Sequence, residues 1–542
     1  MPQLQDVPNE TLASIVAHLV RSIGIGKATR LRSVNKAFNS AVLYAICVAQ
    51  IVDINDPATP NLPFLISPPL KGQILMTKSC SDEAKTEPIL RALADLNQAL
   101  DDLTHATGEQ QIQQHRVIAE AIAHMYPSRN SNRGILPMSI HHLVCGAVVL
   151  GDLSLVKQLL EDYVSAETND SDRRYKVAYV IEGGSSYLGR PLQLAAAWGH
   201  TELVQYLLDN GADPRQSRDN RIWEPHMYVG VGMTNVCRRP DGSALGAAVR
   251  GVHKDTTQLL LQPKYLISSK MAEYFRVIVA AGQTGQLDLL HDLVKATGMS
   301  LSHFPGLGEE LLWHAAYSGQ YEVSQMVLDS GIDVNVAPVP DCRAYGCALS
   351  IAACLGNVRM ARFLLDRGAD PRFSHDSQNH LNPIEISAHR GHQEVVELLL
   401  AHGADPLRAF ERAADGGQVR IVDWLLKQYP KLHLEPSIDG LPAWTEALRK
   451  AILIKNPTII TMLVKHGVPL SHTYSDYGPI ALAKRFAADW IVEFLLSLGA
   501  EDEEYDLRNR YEAEYFERVY SSLPERSKVR ITKRTWEWVG KY

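Results

Sequence analysis

Hydrophobic and polar positions along the chain repeat as a two-helix unit. The clearest copy is Pro191-Leu-Gln-Leu-Ala-Ala-Ala-Trp-Gly-His-Thr-Glu-Leu-Val-Gln-Tyr-Leu-Leu-Asp-Asn-Gly-Ala-Asp-Pro214. It reads as a short helix, a Gly-His turn, a second helix and a Gly-Ala-Asp stop. Leu203, Val204, Leu207 and Leu208 fall at i, i+1, i+4 and i+5, which places them on one helical face. Gly211 stands just past the last periodic residue, where a left-handed C-cap is favoured. Pro214 then forbids continuation.

The unit recurs. With Gly199 as turn marker, its equivalents are Gly151, Val252, Gly285, Gly319, Gly356, Gly391, Gly417, Lys455 and Ala487. The interval from turn marker to closing glycine is 12 residues in Gly199/Gly211, Gly319/Gly331, Gly356/Gly368, Gly391/Gly403, Lys455/Gly467 and Ala487/Gly499. One such helix pair has too little apolar face to bury alone, and stacked neighbours join their faces into one core. Small residues such as Ala195, Ala196, Ala315, Ala316, Ala352 and Ala353 allow first helices to approach closely. The link before Gly417 is too short for a full hairpin finger, since only 26 residues separate it from Gly391.

These units resemble ankyrin repeats, with Pro191–Pro214, Leu349–Pro371 and Ile384–Pro406 as the best copies. The family text T-P-L-H-x-A-A stands in degraded form as Arg190-Pro191-Leu192-Gln193-Leu194-Ala195-Ala196. The resemblance implies an all-α solenoid of about ten helix-turn-helix units over residues 136–502. It implies a protein partner as ligand. His200 and His392 are expected to make local hydrogen bonds in their turns rather than bind metal.

Two insertions interrupt the array, at about 166–188 and 216–241, and are expected to project as fingers. Tyr187, Trp223, His226, Met227 and Tyr228 are the candidate partner-binding residues there, because aromatic side chains on loops are common interface anchors. The bland reading is that these rings fold back onto the stack.

The N-terminus reads Val7-Pro-Asn-Glu-Thr-Leu-Ala-Ser-Ile-Val-Ala-His-Leu19, a break, then Leu31-Arg-Ser-Val-Asn-Lys-Ala-Phe38. Leu12, Ile15, Val16 and Leu19 are expected on one apolar face; Leu31, Val34, Phe38 and Val42 on another. This segment resembles an F-box, although Val7, Thr11 and Ile25 depart from its pattern. The resemblance implies docking to a Skp-type adaptor of a cullin-RING ubiquitin ligase through Pro8, Leu12, Ile15, Leu19, Leu31, Val34 and Phe38. A helical hairpin that only packs against its neighbour is the simpler alternative. The organisation expected is an F-box-like module at 1–50, a Pro-rich link and helical connector at 51–135, the array at 136–502 and a closing tail at 503–542. The tail carries Lys528, Arg530, Lys533, Arg534, Trp536 and Trp538. It reads either as a segment packed on the final repeat or as a basic-aromatic peptide.

Composition narrows the functional classes. Of 542 residues, 46% are hydrophobic and 21% charged, which excludes a mostly disordered chain. The length alone suggests three or four compact domains, and the repeat spacing replaces that reading with one array. A net charge of −7 does not supply the broad positive field that phosphate-backbone binding needs, so nucleic acid is not the expected partner. Seven cysteines without a C-x-x-C pair do not make a disulfide scaffold. The first residues lack signal-peptide text, and the longest uncharged apolar stretch, Ala41–Ala49, is far short of a membrane span. Cytosol or nucleus is the expected compartment.

Catalytic motifs are missing. Gly24-Ile-Gly-Lys-Ala-Thr29 has Arg21 and Ala28 where a phosphate loop needs Gly and Ser or Thr. Gly183-Gly-Ser-Ser-Tyr-Leu-Gly189 lacks nucleophile-elbow spacing. Cys342, Cys347 and Cys354 lie close in sequence, but Cys354 takes a helix position filled elsewhere by small residues, which suits a core better than zinc. No catalytic residue, cofactor or metal is expected. The expected function is a non-catalytic scaffold, with the array holding a target and the N-terminal module linking it to a ligase. The pairing of the two resembled modules suggests a fungal source. A regulatory scaffold or transcriptional co-regulator without a ligase link, and an enzyme with its site in the inserted loops, are the alternatives.

Overall fold

The computed structural model describes residues 11–20, 36–48, 68–81, 87–125, 137–166, 173–216, 242–303, 306–336, 346–373, 382–437, 440–470, 478–486 and 489–500. Among these the fold is helical, and the only β-pairing is two isolated bridges, Ser185 with Gly189 and Pro436 with Pro442. The chain divides into two compact units, Met1–Leu381 and Asn382–Tyr542.

Unit 1 carries six helix pairs: Ile140–Leu150 with Leu153–Ala166, Pro191–Trp198 with Thr201–Asp209, Ala244–Gly251 with Lys254–Leu260, Ala272–Gln283 with Leu287–Ala296, Leu307–Ser318 with Tyr321–Asp329, and Ala348–Leu355 with Val358–Asp366. Unit 2 carries four: Pro383–Arg390 with Gln393–Ala401, Pro406–Asp415 with Val419–Gln428, Ala443–Leu453 with Pro457–Lys465, and Pro479–Phe486 with Asp489–Ser497. Within each unit the first helices of successive pairs pack side by side, and each second helix packs on its own partner. The first helices are nearly all core: Leu192, Leu194, Ala195, Ala196 and Ala197 are buried, as are Leu349, Ile351, Ala352, Ala353 and Cys354. The second helices bury one stripe, such as Leu203, Val204, Leu207 and Leu208. Each such residue contributes roughly 1.5–3 kcal/mol of apolar burial.

The turn between the paired helices sets the spacing. Gly151, Gly199, Gly285, Gly319, Gly356, Gly391 and Gly417 all have φ between 67° and 84°, the left-handed region. Val252 and Lys455 adopt the same conformation at φ 59° and 58° despite their side chains. The following backbone N–H reaches back to the helix, as from His200 to the Ala195 carbonyl at 2.9 Å, which closes the C-cap. Closing glycines 211, 331, 368, 403, 467 and 499 repeat the left-handed geometry at the end of each second helix.

A second constraint acts across repeats. The residue after the turn marker sends its side chain to a backbone carbonyl of the preceding pair. His253 Nε2 lies 2.9 Å from the Ala197 oxygen, Gln286 Nε2 2.8 Å from that of Val249, and Gln418 Nε2 2.8 Å from that of His389. His200 does the same with Val149 at 3.3 Å. The His200 ring, expected to bond within its own turn, also serves the seam between repeats. Close approach is also built into unit 2, where a Cβ at Gly416 would lie 2.0 Å from the His389 carbonyl oxygen.

Two segments differ from expectation. Pro68-Pro69 does not act as a link but opens the helix Pro68–Ser79, since a first helical turn does not need the missing N–H. It packs on Gly108–Met125, beside Pro88–Thr104. The first insertion is not a finger over its described part. Arg173–Glu182 is a helix that buries Lys176, Val180 and Ile181, and a tight turn joins Ser185 to Gly189 through reciprocal backbone bonds of 2.9 and 3.1 Å. Glu182 then accepts the Asp213 backbone N–H at 2.7 Å, tying this helix to the next repeat. In unit 2, the second helix ending at Ala401 is followed by the first helix starting at Pro406, so the link holds only residues 402–405 and no finger.

Candidate partner-binding face

Within each unit, polar and charged side chains of neighbouring first helices meet one another. In unit 1, Glu273 is buried and accepts the Ser243 backbone N–H at 2.7 Å and Arg276 Nη1 at 3.3 Å. Glu310 follows on the next first helix. It is also buried, and burial pushes its carboxyl up to about 8, with Arg276 pulling the other way. One turn further, His314 Nδ1 meets Gln283 Nε2 at 2.5 Å, and burial lowers its ring to about 4. The amide N–H donates, so Nδ1 is the unprotonated nitrogen and the neutral ring is held. Trp313 stacks on Tyr317 with centroids 5.7 Å apart.

In unit 2, taken by itself, charged side chains form an ion-pair ladder across three first helices. Arg408 Nη1 binds Glu385 at 3.1 Å, and Arg412 lies 3.9 Å from the same carboxylate. Asp415 receives Arg412 at 3.5 Å, His389 at 3.8 Å and Lys450 at 3.0 Å. Glu446 holds Arg449 at 2.5 Å and Lys450 at 3.9 Å. Glu411 is hydrogen-bonded by the Ser437 hydroxyl, and burial raises its carboxyl. Burial lowers His389 more than Asp415 raises it. Counted back from the turn residue, Glu385, Glu411 and Arg449 share one position and His389 and Asp415 another. Apolar periodicity does not reveal them. Aligning the polar residues on the turn marker brings them out.

The residues singled out from sequence fall differently. Tyr187 is corrected: its ring is buried, stacked on His142 with centroids 4.8 Å apart, because the Ser185–Gly189 turn folds it inward. Trp223, His226, Met227 and Tyr228 lie outside the described residues, as do Pro8, Leu31 and Val34, and the Phe38 side chain. In the helix at 11–20 the buried stripe is Leu12, Val16 and Val20. Ile15 is 53% exposed and Leu19 half-buried, so the expected Leu12–Ile15–Val16–Leu19 face is corrected. Val20 completes an i, i+4, i+8 row that leaves Ile15 outside. Leu12 is packed within the chain rather than presented to a partner.

Among the described residues no group of three or more His, Cys, Asp or Glu is placed to hold a metal ion. Cys347 and Cys354 are both buried, and burial raises the Cys347 thiol. No described helix is long and apolar enough to cross a membrane.

Helix pairs of this length, with left-handed turn residues and closing glycines at a fixed interval, have the geometry of ankyrin-type repeats. Family models agree. Residues 277–374 and 339–410 match a model described as Ankyrin repeats (3 copies), and residues 190–220 match Ankyrin repeat. The chain thus carries ankyrin repeats. Similar curated proteins include "Ankyrin repeat and KH domain-containing protein mask-1" of Caenorhabditis elegans, 27% identical over 39% of this chain and 7% of that protein. "Ankyrin repeat, SAM and basic leucine zipper domain-containing protein 1" of Ovis aries is 38% identical over 19% of this chain and 22% of its own length. A "Putative ankyrin repeat-containing protein" of Treponema pallidum is 31% identical over 24% of this chain and 41% of its own. The chain spans less than half the length of each of these relatives. Among solved structures, the human ASB11 ankyrin repeat domain is 21% identical, with a TM-score of 0.33, over 42% of this chain and 99% of that one.

Proposed function

We propose that this chain is a non-catalytic protein-binding scaffold, and that its N-terminal helices couple it to a Skp-type adaptor of a cullin-RING ubiquitin ligase. The observation that carries the scaffold reading is the polar row on stacked first helices, set on a core of small and aliphatic side chains. A rigid stack presents such a row to a partner at low ordering cost. The adaptor reading rests on the Leu31–Phe38 text and is supported by Ile15, an exposed aliphatic side chain on a helix whose opposite stripe is buried. Tethering a bound target beside a ligase makes ubiquitin transfer quasi-intramolecular. Cytosol or nucleus is the matching compartment, and the pairing of the two modules suggests a fungal source.

Co-expression of the full chain with a Skp-type adaptor tests the coupling. The expected result is a stable complex that Ile15→Asp abolishes while thermal melting stays unchanged. Leu12→Asp is a poor probe because Leu12 is core. No complex in a sensitive pull-down, with the chain folded, leaves the scaffold without a ligase link.

A further inference from the structure

We propose that the first-helix row of unit 2 is a docking stripe for an acidic peptide segment of the partner. This deepens the scaffold reading and rests on it. The stripe is layered. The Glu385 carboxylate is 7% exposed and that of Asp415 19%, whereas Arg408 is 32%, Arg412 36% and Lys450 26% exposed. Acids lie beneath and bases lie outside, so solvent meets guanidinium and ammonium groups although the whole chain is acidic. Glu446, level with Arg449 at 36% each, and the half-buried Glu411 stand outside this layering.

The lower carboxylates hold the cations in place without using them up. A guanidinium has five N–H donors in a rigid fork. Arg408 gives one hydrogen bond to Glu385, and Arg412 gives one to Asp415. An incoming carboxylate meets positioned donors and does not have to order long side chains itself. Neighbouring helices pack about 8–10 Å apart. A peptide in the polyproline II conformation has three residues per turn and advances about 3.1 Å per residue, so acids three residues apart share one face and lie about 9 Å apart. A peptide crossing the first helices can therefore place one carboxylate per repeat. A nucleic-acid strand fits less well. Single strands are held by stacking on exposed aromatic rings. The aromatic residues of these three helices, Phe410 and Trp444, are buried.

The test is fluorescence anisotropy of the full chain with a labelled peptide carrying Glu at every third position in a Gly/Ser background. A Gln counterpart and an oligouridine of equal charge serve as comparison probes. The Glu peptide is expected to bind, to weaken with salt, and to outcompete both others. Arg412→Gln combined with Lys450→Gln is expected to weaken it by about tenfold or more, two charge contacts being lost. Circular dichroism melting checks that this variant folds, and Arg449→Gln carries the same test if it does not. Arg367→Gln, in unit 1, is expected to leave binding unchanged. Equal binding of the Glu and Gln peptides, unaltered binding by the folded double variant, or tighter oligouridine binding overturns the proposal. A separate arm protects the distinction from the scaffold reading. If immobilised wild-type chain and double variant retain the same proteins from a lysate, the scaffold stands and the acidic stripe falls.

Discussion

Gln418 donates its side-chain amide to the His389 carbonyl 2.8 Å away, and to the Gly416 carbonyl, also at 2.8 Å. One side chain thus fastens the end of one first helix to the end of the next. Gln418→Leu keeps the size and removes both donors. It is expected to destabilise unit 2 by about 1–2 kcal/mol, because a partly buried carbonyl loses its partner. Urea unfolding followed by circular dichroism reads the shift, and a change within error shows that this seam bond adds nothing.

Val252 holds a left-handed backbone at φ 59° where most other repeats use glycine. A β-branched residue there costs roughly 1–2 kcal/mol, offset partly by the greater unfolded entropy of glycine. Val252 is 48% exposed, so little packing is lost on removing its side chain. Val252→Gly is expected to raise the melting temperature, with a gain of about 0.5–1 kcal/mol. A lower melting temperature means that the valine makes contacts worth more than its strain.

Glu310 and His314 impose opposite pH dependences on unit 1. The Glu310 carboxyl sits at about 8 in the fold against 4.5 as its ordinary value. The fold holds this proton and the unfolded chain releases it, so stability falls as pH rises from about 4.5 to about 8. His314 sits at about 4 against 6.5, so its stability contribution is present above pH 6.5 and lost as pH falls towards about 4. The two oppose each other between about pH 4.5 and 6.5, and Glu310 alone acts above that. Glu310→Gln is expected to remove a decline on the order of 1 kcal/mol per pH unit between pH 6.5 and 8 and to keep the acid-side loss. Unfolding midpoints across pH give the answer. A variant as pH-sensitive as the wild type above pH 6.5 rules out Glu310 as the source.

Much of the repeat fold was legible because one backbone constraint leaves a residue-level mark. A left-handed turn favours glycine, and two such turns a fixed distance apart outline a helix pair. Lys455 is still recognisable as a turn residue, because Gly467 keeps the interval where the turn residue itself is atypical. The site was less legible. Glu385 meets Arg408, and Asp415 meets Lys450, only after separate repeats stack. Tyr187 looked like an interface anchor because its burial depends on His142, a residue on another element. The helix Arg173–Glu182 has little amphipathic contrast, so periodicity did not separate it from a loop.

The link at residues 402–405 carries a mechanical consequence. The next connection in unit 2, residues 429–442, is more than three times as long. Here Gly403, Ala404 and Asp405 run directly into Pro406, with no reserve of chain. The pairs on either side are leashed, and neither can peel away without drawing on the other. The Glu385–Arg408 bond spans that leash, so the charged stripe is mounted across the shortest connection between helix pairs in unit 2.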